Sequence, residues 1–253
     1  MLIKKLRNFG FNTNNRTYII AEIGINHRGS VKVAKQLIDS AVRSGVDAVK
    51  FQTYITEQRA PKGNDEVFKI LKDLELPFEA FKELQDYARR HDVDFFSTPF
   101  DKESVEYLES IGTDLYKIAS FDIVNHQLLR EVAKTRKPVI MSVGMSNLDE
   151  IEDAYNILKE GTDSIAILHC ISSYPTIEKD SNLSNIYKIQ EQYDCVIGQS
   201  DHTNDIKVPI YAAAAGAQIL EKHFKIDEEF ECIDSLVSIT EVQMKELVEE
   251  VRG

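Results

Sequence analysis

Residues 48–53 read Ala-Val-Lys-Phe-Gln-Thr, a short apolar run that carries a lysine and a glutamine near its end. Side chains alternate between the two faces of a strand, so Lys50 and Gln52 share one face. A charge that is buried without a partner is energetically expensive. Other apolar runs also end in polar residues, at Glu22, Thr98, Lys117, Ser120, His169, Ser200 and residues 221–223. We therefore expect a scaffold in which the ends of several strands hold a ligand.

Eight apolar segments of strand length alternate with segments of helical character. Most are rich in Val, Ile, Leu and Phe, which is typical of parallel strands buried on both faces. They cover residues 18–23, 48–53, 94–98, 115–119, 138–143, 164–170, 195–199 and 218–223. The alternation predicts an α/β fold, a (β/α)8 TIM barrel, as a single domain over residues 1–253. A doubly wound open sheet is the alternative, but no glycine-rich phosphate fingerprint follows a strand.

Capping residues indicate where several helices begin. Ser146 with Asp149, and Thr240 with Gln243, have the spacing of a capping box. Residues 65–74 predict an additional helix in the long insertion that follows the second strand.

Composition excludes several classes of function. The net charge of −12 disfavours binding to nucleic acid or to an anionic membrane. The three cysteines include no CxxC pair, which argues against a disulfide framework or a thiolate zinc site. With no signal peptide or membrane span in the sequence, we expect a cytoplasmic protein.

Two lysines, Lys50 and Lys117, lie near the ends of separate central strands. Each is open to a simple interpretation, in which it reaches the rim or pairs with a carboxylate. Together with the hydroxyls of Thr98, Ser120 and Ser200, they could instead form a cradle for phosphate and carboxylate groups.

Two histidines follow the last two strands, which are neighbours in a closed barrel. His202 and His223 could ligate one divalent ion, with Asp201 orienting His202, or they could be hydrogen-bonded rim residues. Glu22 could be a general base, an anchor for a hydroxylated substrate, or a partner of a lysine. His169 is interpreted as a core histidine, and Tyr174 is placed over the mouth of the barrel.

These segments resemble the sialic acid (N-acetylneuraminate) synthase family, which includes the legionaminic and pseudaminic acid synthases. The matching stretches are AEIGINH (21–27), KFQ (50–52), STPF (97–100), YKIAS (116–120), HC (169–170), SYP (173–175), SDHT (200–203) and EKHF (221–224). They occur in one order on predicted strand ends, and the resemblance covers the chain from about residue 18 onward.

The resemblance implies a reaction and its participants. Phosphoenolpyruvate condenses with the aldehyde of an N-acylated hexosamine such as N-acetylmannosamine, assisted by a divalent metal, usually Mn²⁺ with Mg²⁺ or Co²⁺ as alternatives. Glu22, Lys50 and Lys117 would be catalytic, and His202 and His223 would bind the metal. Phosphoenolpyruvate would be held by Lys50, Thr98, Lys117, Ser120, Ser172 and Ser200. The acceptor sugar would face Glu22, Gln52, Tyr174 and Asp234.

The family also usually carries a C-terminal antifreeze-like domain, whereas this sequence ends at Gly253, so we expect the barrel domain only. A homodimer is implied by the resemblance alone. Two other functions stay open: a lysine Schiff-base aldolase, and an incomplete phosphoenolpyruvate-binding barrel that needs a separate partner domain.

Overall fold

Parallel strands close into a barrel in the structure, a computed structural model that describes residues 16–60 and 63–253. Residues 1–15 and 61–62 of the predicted domain lie outside the described residues. Each strand pairs in parallel with the next, and the last pairs with the first. The predicted (β/α)8 barrel is therefore confirmed, and the open sheet is excluded. The strands are β1 (Tyr18–Gly24), β2 (Ala48–Thr53), β3 (Asp94–Pro99), β4 (Tyr116–Ile118), β5 (Val139–Ser142), β6 (Ile165–Cys170), β7 (Val196–Asp201) and β8 (Ile219–His223).

Helices follow the strands and cover the outside of the barrel. They are α1 (Val31–Ser44), α2 (Thr56–Arg59), α3 (Asp65–Leu74), α4 (Phe78–Arg90), α5 (Lys102–Ser110), α6 (His126–Lys134), α7 (Leu148–Lys159), α8 (Ser184–Gln192), α9 (Lys207–Ala214) and α10 (Glu241–Arg252). The additional helix predicted at residues 65–74 is present as α3. None of the described helices combines the length and the apolar character that crossing a membrane demands.

One of the two predicted capping boxes is displaced by a residue. Thr240 and Gln243 form the predicted box at the start of α10. At the start of α7 the prediction was wrong, because Asn147 and Glu150 form the box instead. Ser146 donates its hydroxyl to the carbonyl of Gly144 and does not cap the helix.

Two apolar layers follow from the alternation of side chains along the strands. Outward-facing residues such as Ile19, Val49 and Phe51 pack with helix residues in the large core. A second cluster, made of inward-facing residues, fills the amino-terminal part of the barrel interior: Tyr18, Ile20, Ala48, Phe96, Leu115, Ile140, Ala166, Leu168, Val196 and Ile219. The carboxyl-terminal part of the interior is left to polar side chains, and it is the end where active sites of such barrels lie.

Candidate active site

A cavity of about 320 Å³ opens at the carboxyl ends of the strands. All twelve residues to which the resemblance gives a role in the site line it: Glu22, Lys50, Gln52, Thr98, Lys117, Ser120, Ser172, Tyr174, Ser200, His202, His223 and Asp234. Glu221, Ser142, Cys170 and Arg59 line it as well and were not predicted. Closure of the barrel thus brings the two lysines and the two histidines to one mouth.

Lys50 is the centre of one set of contacts. Its Nζ lies 3.0 Å from Glu22 Oε2 and 3.6 Å from Glu221 Oε2. It also donates to Thr98 Oγ1 at 3.1 Å. Strand pairing explains this, since Glu22 of β1 is in register with Lys50 of β2. The simple interpretation of a lysine paired with a carboxylate therefore holds for Lys50, but the pair faces the cavity.

Lys117 has a similar environment on the other side of the cavity. Its Nζ donates to Ser142 Oγ at 2.7 Å and lies 3.5 Å from Glu221 Oε1. That same carboxylate oxygen accepts a hydrogen bond of 2.8 Å from Ser200 Oγ. Glu221 therefore bridges the two lysines. The sequence contained a signal for it, because Glu221 lies two residues before His223 and so shares its inward face.

The two buried carboxyl groups have opposite electrostatic shifts. Burial raises the pKa of Glu22 and outweighs the attraction of Lys50. For Glu221, burial is outweighed by Lys117 and Lys50, which lower its pKa to about 2. A pair of carboxyl groups whose pKa values are pushed apart is typical of an acid/base site. Glu221 is thus a permanent anion, and Glu22 is the group suited to exchange a proton.

The lysines also differ from each other. Burial lowers the pKa of Lys117. For Lys50, the effect of burial is outweighed by the charges of Glu22 and Glu221, so that its pKa is raised. Lys50 is accordingly the more firmly charged of the two.

The imidazoles of His202 and His223 converge on a single point. His202 Nδ1 donates to the carbonyl of Ile171 at 2.8 Å, which leaves its Nε2 as an acceptor. The hydroxyl oxygen of Tyr174 lies 2.8 Å from His202 Nε2 and 3.4 Å from His223 Nε2. His223 Nδ1 lies 3.4 Å from Asp234 Oδ2. His202 is therefore oriented through its Nδ1, as metal-binding histidines are, while Nδ1 of His223 faces the carboxylate of Asp234 without forming a hydrogen bond.

This arrangement fits a divalent metal held by two nitrogen atoms. The two Nε2 atoms already meet at one oxygen, and imidazole with oxygen ligands suits several divalent transition metals. Within residues 16–60 and 63–253, no three His, Cys, Asp or Glu side chains gather as a ready metal cage. Oxygen atoms from water or substrate would have to complete the ligand shell.

The suggestion that Asp201 orients His202 was wrong. Asp201 Oδ2 accepts hydrogen bonds of 2.6 Å from Lys222 Nζ and from Thr203 Oγ1. These groups lie outside the residues that line the cavity. His169 likewise faces away from the cavity and bonds the carbonyl of Ser181 at 2.7 Å, which confirms it as a core histidine.

Glycines make room for two pairs of polar side chains. At Gly24, a Cβ atom would lie 3.0 Å from Glu22 Oε1 and 3.2 Å from Gln52 Nε2, which themselves form a hydrogen bond of 3.2 Å. At Gly144, a Cβ atom would collide with Ser172 Oγ and approach Ser120 Oγ to 3.1 Å. The backbone N–H of Gly144 donates to Ser120 Oγ at 3.0 Å. Both glycines thus keep predicted site residues in place.

Asn26 braces the loop that carries Asp234. Its side-chain oxygen accepts a hydrogen bond of 3.1 Å from the backbone N–H of Asp234. Its Nδ2 donates at 3.0 Å to the carbonyl of Phe224 and to Ser238 Oγ. The buried asparagine that follows β1 therefore links the first strand of the barrel to the segment after the last.

Comparison with known proteins identifies a family. Residues 37–253 match the NeuB family. An uncharacterized protein of Methanocaldococcus jannaschii is 42% identical over 237 residues, which are 93% of this chain and 70% of that protein. The N,N'-diacetyllegionaminic acid synthase of Campylobacter jejuni is 38% identical over 253 residues, or 94% of this chain and 76% of that protein.

A solved structure agrees with this assignment. The crystal structure of the sialic acid synthetase of Leptospira borgpetersenii, a complex with citrate, has a TM-score of 0.91 and 39% sequence identity, and the match covers 94% of this chain and 83% of that one. The motifs on the strand ends and these matches point to the same family. The chain therefore belongs to the NeuB family.

Proposed function

We propose that the chain condenses phosphoenolpyruvate with the aldehyde of an N-acylated hexosamine, giving a sialic or related nonulosonic acid and phosphate. A divalent metal, Mn²⁺ in the first instance, is held by His202 and His223. The observation that carries the proposal is the convergence of two lysines and two imidazoles on one cavity. The names of the similar synthases support the reaction class.

The anionic substrate is held by the lysine side of the cavity. Lys50 and Lys117 face the phosphate and the carboxylate of phosphoenolpyruvate, and they stabilise the charge that develops during the reaction. The hydroxyls of the cavity supply neutral donors to the same groups: Thr98, Ser120, Ser172 and Ser200.

The acceptor occupies the side formed by Gln52, Tyr174 and Asp234. A divalent metal held by His202 and His223 would supply Lewis-acid chemistry, which polarises an aldehyde oxygen. Carbon 3 of phosphoenolpyruvate bonds to the aldehyde carbon as the C=O π bond of the aldehyde opens, and water adds to carbon 2. Glu22 takes one proton of that water, in keeping with its raised pKa, and gives it to the former aldehyde oxygen, which becomes a hydroxyl. The bond from carbon 2 to the phosphate oxygen then breaks, carbon 2 becomes a ketone, and the second proton of the water leaves with the phosphate, so that one water is consumed for each phosphate released.

The direct test is phosphate release from phosphoenolpyruvate with Mn²⁺ and a panel of acceptors that includes N-acetylmannosamine and diacetamido hexoses. We expect phosphate release with at least one acceptor. Phosphate release should be lost when a chelator removes the metal, and it should also be lost in the variants His202→Gln and His223→Gln. Activity that survives complete metal removal would contradict the role of the histidines. Tight binding of phosphoenolpyruvate without turnover on any acceptor would favour the incomplete barrel.

A Schiff-base aldolase has one observation in its favour, the lowered pKa of Lys117. Borohydride treatment in the presence of a carbonyl substrate distinguishes the two mechanisms. We expect no covalent adduct at Lys50 or Lys117, because both amines are held by carboxylates and hydroxyls and the histidines would have no task in that chemistry.

A further inference from the structure

Arg59, at the end of α2, lines the cavity in an unusual state. Its guanidinium lies over the ring of Phe100, 3.8 Å from the ring centroid, and over the ring of Tyr54 at 4.6 Å. Its Nη1 is shielded from solvent and, among residues 16–60 and 63–253, has no hydrogen-bond partner. The two rings fix the orientation of the planar guanidinium, and its Nη1–H remains able to donate a hydrogen bond.

The charge of Arg59 also differs from the charges of the two cavity lysines in how it is compensated. Lys50 is matched by Glu22 and Glu221, and Lys117 is matched by Glu221. In the part of the chain that the structure describes, Arg59 makes no ion pair with a carboxylate. Burial lowers its pKa, and the attraction of Asp122, Asp234 and Glu22 only partly offsets this effect. A shielded cation without a partner is costly, and an anionic ligand would remove that cost.

The position of Arg59 points to one side of the cavity. Phe100, on which it stacks, lies two residues beyond Thr98. Phe121 stacks on Phe100 with the ring centroids 5.6 Å apart, and it follows Ser120 directly. Arg59 therefore lies along the edge that carries two of the hydroxyls assigned to phosphoenolpyruvate.

We propose that Arg59 binds an oxyanion of phosphoenolpyruvate, either its phosphate or its carboxylate. The inference rests on the proposed function and adds a binding residue to it. A guanidinium suits the task because its parallel N–H groups match two oxygens of a phosphate or a carboxylate. The aromatic rings hold that fork in place before the ligand arrives, so little side-chain entropy is lost on binding.

Calorimetry in the presence of Mn²⁺ tests the assignment without any acceptor sugar. Phosphoenolpyruvate, inorganic phosphate and pyruvate are titrated separately into the wild-type chain, Arg59→Met and Arg59→Lys. We expect Arg59→Met to bind phosphoenolpyruvate about 10- to 100-fold more weakly, the value of a charge-assisted hydrogen bond. The affinity of Arg59→Lys for phosphoenolpyruvate should lie between those of the wild type and Arg59→Met, because lysine keeps the positive charge but lacks the paired N–H donors of the guanidinium. Weakened binding of phosphate assigns Arg59 to the phosphate, and weakened binding of pyruvate assigns it to the carboxylate.

Arg28→Met is the matched control. Arg28 stacks on Phe230 at 4.3 Å in the same manner but does not line the cavity, so its loss should leave all three affinities unchanged. The midpoint of thermal unfolding is a second readout. Arg59→Met should unfold at the same or a higher temperature, because it removes a charge that pairs with no carboxylate among the described residues. If Arg59 had only a structural role, its loss would lower the unfolding temperature.

The outcomes separate the two proposals. If the wild-type chain does not bind phosphoenolpyruvate, the proposed function fails. If the wild type binds it and both Arg59 variants bind equally well, only the assignment of Arg59 is overturned. The assignment is also overturned if the variants raise the KM of the acceptor alone.

Discussion

The two ends of the barrel interior are built from the same strands but from opposite kinds of side chain. Ile20, Phe96 and Ile140 belong to the apolar cluster at the amino-terminal end. Two positions further along each strand, Glu22, Thr98 and Ser142 line the cavity. The same step leads from Leu115 to Lys117, from Leu168 to Cys170, and from Ile219 to Glu221.

On each of these strands, the inward-facing residue that supports stability and the inward-facing residue that lines the cavity are only two positions apart. Side chains two residues apart share a face, so both sets point into the barrel. The apolar set gains from close packing. The charged set gains little net stability, because the attraction within buried ion pairs is offset by the loss of hydration. We therefore expect changes at one end to affect folding and changes at the other to affect turnover.

The largest effect should come from removing Lys117. Lys117→Met should lower phosphate release about 1,000-fold, because a preorganised group aimed at developing charge is lost. The midpoint of thermal unfolding should fall only slightly, because Glu221 keeps Lys50 as a partner when Lys117 is removed. Steady-state kinetics measure the rate of phosphate release, and scanning calorimetry measures the midpoint of thermal unfolding.

Lys222→Met is its control. Lys222 is equally buried but is absent from the cavity lining and pairs with Asp201. Its loss should lower stability and leave turnover nearly intact. Turnover of Lys117→Met within tenfold of the wild type would contradict the separation of the two ends.

Glu221 is the exception at the polar end, because two lysines depend on it. Glu221→Gln should lower the free energy of unfolding by about 4 kcal/mol, as expected when one partner of a buried ion pair is removed. Urea denaturation measures it. Glu106→Gln removes the exposed partner of Lys102 and should leave the curve unchanged. Equal stability of the two variants would show that the buried network is dispensable.

At the apolar end, Ile140→Ala should lower the free energy of unfolding by about 3 kcal/mol through the cavity that it creates. Ile140 is fully buried in the interior cluster. The kcat measured well below the unfolding temperature should not change. A selective loss of kcat, with unfolding unaffected, would reverse the roles of the two ends.

The smallest effect is expected from Ser142→Ala, on the same strand as Ile140. It removes the hydrogen bond from Lys117 Nζ, while Glu221 still holds that amine. We expect a loss of about fivefold in kcat/KM, near the value of one hydrogen bond, and little change in stability. A larger effect on unfolding than that of Ile140→Ala would contradict the comparison.

Local patterns explain why so much of the fold could be predicted. The apolar strands and their polar ends follow from a repeat of two residues, which is visible in any short stretch. Helix boundaries follow less directly from the sequence, as Ser146 shows. Its spacing to Asp149 predicts a cap, but its hydroxyl donates to the carbonyl of Gly144, and Asn147 caps the helix. Two neighbouring polar residues offer the same chemistry, and only the backbone path decides between them.

The sequence by itself determined the number and order of the strands and which of their ends are polar, because both follow from the local alternation of side chains. Only the tertiary structure decided the partners. It placed Glu221 between Lys50 and Lys117, brought the two imidazoles to the hydroxyl of Tyr174, and left Nη1 of Arg59 without a hydrogen-bond partner among the described residues. These contacts join strands and loops that are far apart in the chain, and their distances depend on how the barrel closes.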